Sequence, residues 1–251
     1  MSSSRVFTRV LMVVPSTLHF IAMCTLTIFH STLYIALGFL PYEKHYRIAQ
    51  RWGRDNIIAA RWLCGIRLRI EGKENIPDSP VIVFSKHQSS YEIMALMGYL
   101  RPSAWVGKQE LLKIPVFGWA FKKSKPITID RTAGRVAVEQ LLEQGKQALE
   151  EGRNVLIFPE GTRKAPGATP NYRIGGAVLA EQSGYPVLPV ALNAGELWPR
   201  VSLLKWPGVV TISFGPLIES QGKTAEQIRA EARQWIETKM SEISNPANWN
   251  R

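Results

Sequence analysis

The chain has 251 residues, 45% of them hydrophobic and 20% charged, and carries a formal net charge of +11. That length buries a full-sized core, and the balance is ordinary for a folded protein. Cys24 and Cys64 are its two cysteines, which excludes a disulfide framework and makes a reducing, cytosol-facing compartment the default. The histidines (His19, His30, His45 and His87) are too scattered to form a metal site. The excess positive charge predicts attraction to anionic lipid, an acidic carrier protein or nucleic acid.

Arg5 and Arg9 lead into a run from Val10 to Tyr42 without Asp, Glu, Lys or Arg. It exceeds the ~20 residues that cross a bilayer once but falls short of two full spans with a turn. One tilted span competes with two short helices dipping into one leaflet as a hairpin, and the hairpin or interfacial arrangement is the reading favoured here. A cleaved signal peptide fits poorly, because the run is long and has no clear small-x-small cleavage site. Past Pro41, Lys44, Arg47, Arg51, Arg54 and Arg61 alternate with Ile48, Trp52, Ile57, Ile58, Trp62 and Leu63. This predicts an amphipathic helix over residues 43–64, suited either to an anionic membrane face or to a core. Its cations place that side in the cytoplasm.

Residues 66–71 alternate apolar and polar, as an edge strand does. Val81 to Phe84 read as a short buried strand, with Lys86 and His87 at its carboxyl end and Ser89 or Ser90 capping the helix that follows. Histidine is suited to accept a proton near neutral pH. Glu92, across the first helical turn, would hold one ring nitrogen and leave the other as base. Residues 104–107 read as the next strand, ending at Lys108. Residues 114–121 are apolar and aromatic, bordered by Lys122, Lys123 and Lys125: either a seat for an apolar chain or a core helix with a solvated end. Residues 126–130 form a further strand before Arg131. Thr132 is expected to cap a helix whose Val138, Leu141, Leu142, Gly145 and Leu149 share a face.

The strand from Asn154 to Phe158 then leaves through Pro159, Glu160, Gly161, Thr162 and Arg163. Gly161 permits positive φ and close backbone approach, and Arg163 offers a planar fork for phosphate or carboxylate. The strand-helix-strand order implies a βαβ unit with a right-handed crossover. Residues 164–170 read as a mobile loop near the site, 174–183 as a helix, and 185–192 and 209–214 as strands. Residues 197–207 resist assignment. A Thr224–Gln227 capping box opens a terminal helix.

Two strand-end turns, one holding His87 and Glu92 and the other Phe158 through Arg163, together resemble the motifs of the 1-acylglycerol-3-phosphate acyltransferases (lysophosphatidic acid acyltransferases). That family carries a His-x4-Asp pair and a later Phe-Pro-Glu-Gly-Thr-Arg. Gly107–Leu111, Ile114–Gly118, Ile129–Arg131 and Val187–Val190 are similar to its other blocks, in order, over about residues 65–215. Glu92 stands where most members have Asp, and Lys86 where Asn is common. The resemblance implies an α/β fold, a mixed and largely parallel sheet flanked by helices. Residues 1–64 would be a membrane-associated helical segment and residues 65–251 the acyltransferase domain.

It also implies transfer of a fatty acyl group from acyl-CoA or acyl-carrier protein, as co-substrate, to the sn-2 hydroxyl of a lysophosphatidic acid. No cofactor or metal is called for, and nucleic acid is not an expected partner. The expected place is the cytoplasmic face of a membrane, the bacterial inner membrane. His87 would be the base, Glu92 its orienting acid, and Arg163 with the Gly161 and Thr162 backbone the phosphate holder. Glu160 would order the loop, with Lys108 and Arg131 as further phosphate-binding candidates. The chain has no Gly-x-Ser-x-Gly elbow, which argues against a serine lipase. Rival readings are an acyltransferase for glycerol 3-phosphate, another lysophospholipid or a lyso-aminolipid, and a non-enzymatic protein that binds anionic lipid or nucleic acid.

Overall fold

A computed structural model describes residues 3–129 and 134–249. Helix α1 spans Ser3–Ala36 and α2 spans Tyr42–Cys64. Strand β1 is Ile66–Glu71, β2 is Ile82–Ser85, and α3 is Tyr91–Tyr99. Strand β3 (Ser103–Lys108) precedes α4 (Phe117–Lys123), then β4 (Ile127–Ile129) and α5 (Arg135–Glu150). Strand β5 (Asn154–Ile157), α6 (Gly175–Ser183), β6 (Val187–Leu192), β7 (Gly208–Phe214) and α7 (Ala225–Ile243) complete the chain.

The seven strands form one sheet in the order β1-β7-β6-β2-β5-β3-β4. All neighbours are parallel except β6 and β7, so the sheet is mixed and largely parallel. The central strands β2, β5 and β6 are buried along their whole length and read as continuous apolar runs, as parallel strands covered on both faces must. Edge strand β1 instead exposes Arg67 and Arg69. The pleat sends Val83 into one core with Leu96, Trp105 and Leu188, on the side of α2 and α3. Ile82 and Phe84 enter the other with Leu149, Leu179 and Ile236, under α5, α6 and α7. The capping box at Thr224 forms, its hydroxyl accepting from the Gln227 N–H.

Three expectations need correcting. The uncharged run is one helix followed by a turn, and the hairpin is made by α1 against α2 rather than within residues 10–42. In α2 the buried stripe is Tyr46, Gly53, Asn56, Ala60 and Cys64, whereas Ile58 and Trp62 point outward, Trp62 with 79% of its surface exposed. Small residues win the inner face because α2 crosses α3 at backbone distance: a Cβ on Gly53 would lie 2.3 Å from the Met94 carbonyl. Finally, β4 and β5 are parallel but not paired, since β3 lies between them. Of residues 114–121, Ile114 and Trp119 are exposed, while Gly118 and Ala120 are buried and Phe121 packs against the core, so both readings of this stretch keep support.

The connection from β2 through α3 to β3 steps over β5 on one face, and that from β5 through α6 to β6 steps over β2 on the other. The two chains therefore part at the carboxyl ends of adjacent strands, the position where open α/β sheets hold their ligands.

Candidate active site

His87 and Glu92 meet directly. The carboxylate Oε1 lies 2.9 Å from His87 Nδ1 and also accepts the Gln88 N–H at 2.9 Å and the Ser89 N–H at 2.7 Å. Its Oε2 accepts the Ser89 N–H as well, at 3.0 Å. The expected serine cap takes another form, because the carboxylate satisfies these orphan donors itself and Ser89 Oγ accepts from the Tyr91 N–H. Glu92 is fully buried, whereas the His87 side chain keeps 13% of its surface exposed. The carboxylate oxygen facing Nδ1 fixes the ring proton there, leaving Nε2 as the acceptor nitrogen. Among the described residues Nε2 has no protein partner. The imidazole lies flat on Phe158, ring centres 3.9 Å apart and 15° between planes.

The second turn lies against the first. The Lys164 N–H donates to the His87 carbonyl at 2.8 Å, and Glu160 Oε1 accepts the His87 N–H at 3.0 Å. Gly161 sits at φ 72°, and a Cβ there would be 2.6 Å from Arg173 Nε, so only glycine fits under that arginine. Its own N–H is committed to the Phe158 carbonyl at 2.9 Å, whereas the Thr162 and Arg163 N–H groups make no backbone hydrogen bond among the described residues. Thr162 is exposed and Arg163 half-buried. Arg200 donates to the Arg163 carbonyl at 2.7 Å, bringing a further guanidinium to the loop.

Lys108 ends β3 on the same sheet edge, exposed, with β5 between it and the His87 strand. Arg131 and Thr132 lie outside the described residues. Sequence reasoning missed Arg173, Arg200 and the partners of Lys86 behind His87. Those partners are Glu237 and, through it, Tyr172, joined to Lys86 only by tertiary contact from distant segments. Loop 164–170, read as mobile, is held at several points, with Lys86 Nζ 3.2 Å from the Ala168 carbonyl and the Trp249 ring over Gly167.

Glu160 is turned inward. Burial pushes its carboxyl up from 4.5 to about 7, opposed by Lys86 and by the His87 N–H. Between pH 4.5 and about 7 the folded protein therefore holds a proton that the unfolded chain has released, so this group lowers stability as pH rises through that window. Glu160→Gln should flatten that part of the profile. Thermal midpoints measured across the window would show a shallower decline than in the parent protein, and an unchanged slope would count against a buried, raised carboxyl.

An alcohol brought to His87 Nε2 beside a cationic turn would lose its proton as it attacks an acyl carbon. Comparison with known proteins points the same way. Residues 67–193 match the family model described as Acyltransferase. A 1-acyl-sn-glycerol-3-phosphate acyltransferase of Pseudomonas aeruginosa is 42% identical over 209 residues, 82% of this chain and 81% of its own length. The chain belongs to this acyltransferase family. A protein of the same name from Chlamydomonas reinhardtii is 31% identical to this acyltransferase over 219 residues, 85% of this chain and 65% of the relative. The crystal structure of the 1-acyl-sn-glycerophosphate acyltransferase of Thermotoga maritima superposes with a TM-score of 0.78 at 26% identity, covering 95% of this chain and 97% of that one. The enzyme thus carries the family's domain on a sheet and helices arranged as in that solved relative.

Proposed function

We propose that this enzyme moves a fatty acyl group from a thioester, acyl-CoA or acyl-carrier protein, to the sn-2 hydroxyl of 1-acyl-glycerol 3-phosphate, giving phosphatidic acid. The observation that carries the reading is His87 paired with the buried Glu92, its Nε2 without a partner among the described residues, laid against the turn that presents Arg163. His87 takes the proton of the acceptor hydroxyl as it attacks the thioester carbonyl, and returns it to the departing thiolate. Glu92 holds the tautomer and stabilises the imidazolium, as the acid of a hydrolase triad does. The nucleophile is the substrate, so no acyl-enzyme forms. Arg163 and the Thr162 and Arg163 N–H groups hold the acceptor phosphate, with Lys108 and Arg131 as further candidates, while Glu160 orders the loop through the His87 N–H.

Hydrogen bonds to charged groups are worth ~1.5–3 kcal/mol. Arg163→Ala should therefore raise the acceptor's KM roughly 10–150-fold with kcat little changed; a loss confined to kcat would remove Arg163 from the phosphate. A panel of lysophosphatidic acid, glycerol 3-phosphate, other lysophospholipids and lyso-aminolipids, presented in membranes, tests the acceptor. Preference for any acceptor other than lysophosphatidic acid would overturn that assignment.

We read residues 1–64 as the membrane-associated segment, seated on the 65–251 domain at the cytoplasmic face. Residues 9–36 are long and apolar enough to cross a bilayer, with mean hydropathy 1.8. Yet the polar side of α1 is fastened to the protein along its length. Ser16 Oγ accepts the Lys205 N–H, the His19 ring meets Trp198, Trp52 Nε1 donates to Thr27 Oγ1, and His30 pairs with Asp55 at 3.3 Å. These anchors cover ~21 Å of helix. Meanwhile Val10, Val14, Ile21, Ile28 and Phe29 point away, exposed. A helix bound along one side and apolar on the other lies in the interface rather than spanning it.

A further inference from the structure

Behind His87, the Lys86 side chain runs into the protein and leaves 1% of its surface exposed. Its ammonium lies 2.8 Å from Glu237 Oε1 on α7, 3.6 Å from Glu160 Oε1, and 3.2 Å from the Ala168 carbonyl. Tyr172 donates to the same Glu237 oxygen at 3.0 Å. One buried cation thus joins the end of β2, the Pro159–Arg163 turn, loop 164–170 and the terminal helix. The Glu160 oxygen it faces is the one that accepts the His87 N–H.

We propose that Lys86 is a positioning residue, whose buried ammonium, shared with Glu237, favours the carboxylate form of Glu160 and with it the hold of Glu160 on the His87 backbone. The inference rests on the reading of His87 as base. Its chemistry is that of a shared counter-ion. An isolated buried carboxylate takes up a proton, and a cation beside it opposes this. Lys86 is paired with Glu160 at 3.6 Å, and Glu237 is a second anion drawing on it. The groups facing Glu160 are Lys86 just past β2, the His87 N–H, Glu92 from α3 and Glu237 from α7, with Tyr172 beyond them and Arg233 beside Tyr172. An ionised Glu160 grips the His87 N–H more strongly than a protonated one, and so sets where the imidazole stands relative to the acceptor held by the turn.

The two flanking substitutions should therefore move the enzyme in opposite directions. Lys86→Met removes the cation and leaves Glu237, so the acidic limb of the kcat/KM profile moves to higher pH and kcat at neutral pH falls roughly 10–100-fold. Glu237→Gln frees the ammonium for Glu160, and the same limb moves to lower pH. The double variant, Lys86→Met with Glu237→Gln, removes the stranded charge and should regain thermal stability without regaining kcat. If Lys86→Met alone fails to fold, Glu237→Gln and the double variant carry the test. Limbs that do not move, or kcat that returns with stability in the double variant, would reduce Lys86 to a structural ion pair. His87→Ala, assayed in parallel, separates the two claims. Full activity there would sink the base assignment itself, whereas an inactive His87→Ala beside unmoved limbs would overturn only the role of Lys86.

Discussion

His87→Ala should lower kcat by ~10²–10⁴-fold while leaving a folded protein. The chemical reason is that an alcohol attacking a thioester needs its proton removed, and His87, at a strand end against the Pro159–Arg163 turn, offers Nε2 as the base. The structural reason for the intact fold is that the backbone bonds of this residue do not involve the ring. The His87 N–H still reaches Glu160, and its carbonyl still accepts from Lys164. What packing is lost is the stack on Phe158, a contribution of ~0.5–1.5 kcal/mol. Initial rates with saturating donor and acceptor, beside a thermal melt, check both halves. A folded variant with parental kcat would show that the proton leaves by another route.

Glu92→Gln should be nearly as damaging, for a different reason. The carboxylate uses both oxygens: Oε1 for the ring nitrogen and the Gln88 and Ser89 N–H groups, Oε2 for the Ser89 N–H again. An amide has one acceptor oxygen, so its NH2 must face either a backbone N–H or the ring. The imidazolium formed during reaction also loses its counter-charge. We expect kcat to fall roughly 10²–10⁴-fold, the acceptor's KM to change little, and stability to drop by ~1–3 kcal/mol for the donor left unmade. Glu92→Asp keeps the charge but retracts it by one methylene, and should fall between the two. A Glu92→Gln enzyme with parental kcat would reduce Glu92 to a helix cap.

Much of this site was legible because its signals are local. The pair His87 and Glu92 lies within one turn, and Phe158 through Arg163 is contiguous, so strand period, turn chemistry and motif spacing all bear on it. The buried strands β2, β5 and β6 were legible for the same reason, being short apolar runs bounded by turn residues. What escaped was decided by tertiary contact. Nothing near Lys86 announces Glu237, which lies 151 positions further on, and Arg173 matters only because Gly161 folds beneath it. The α2 stripe was misjudged because the hydrophobic pattern counts Ile58 and Trp62 as inward-facing, whereas the close crossing on α3 selects Gly53 and Ala60. The parallel pair expected from β4 and β5 failed because sequence order does not say which strand is inserted between two others.

The measurement that most directly tests the account is thiol release from an acyl-CoA or acyl-carrier-protein thioester by enzyme in detergent, followed before and after lysophosphatidic acid is added. On the proposed mechanism the acceptor hydroxyl is the nucleophile and His87 only its base, so no stoichiometric burst should precede the acceptor, and steady release should begin on its addition. One equivalent of thiol released in the absence of acceptor would mean a covalent acyl-enzyme, and release that never responds to lysophosphatidic acid would contradict the proposed reaction outright.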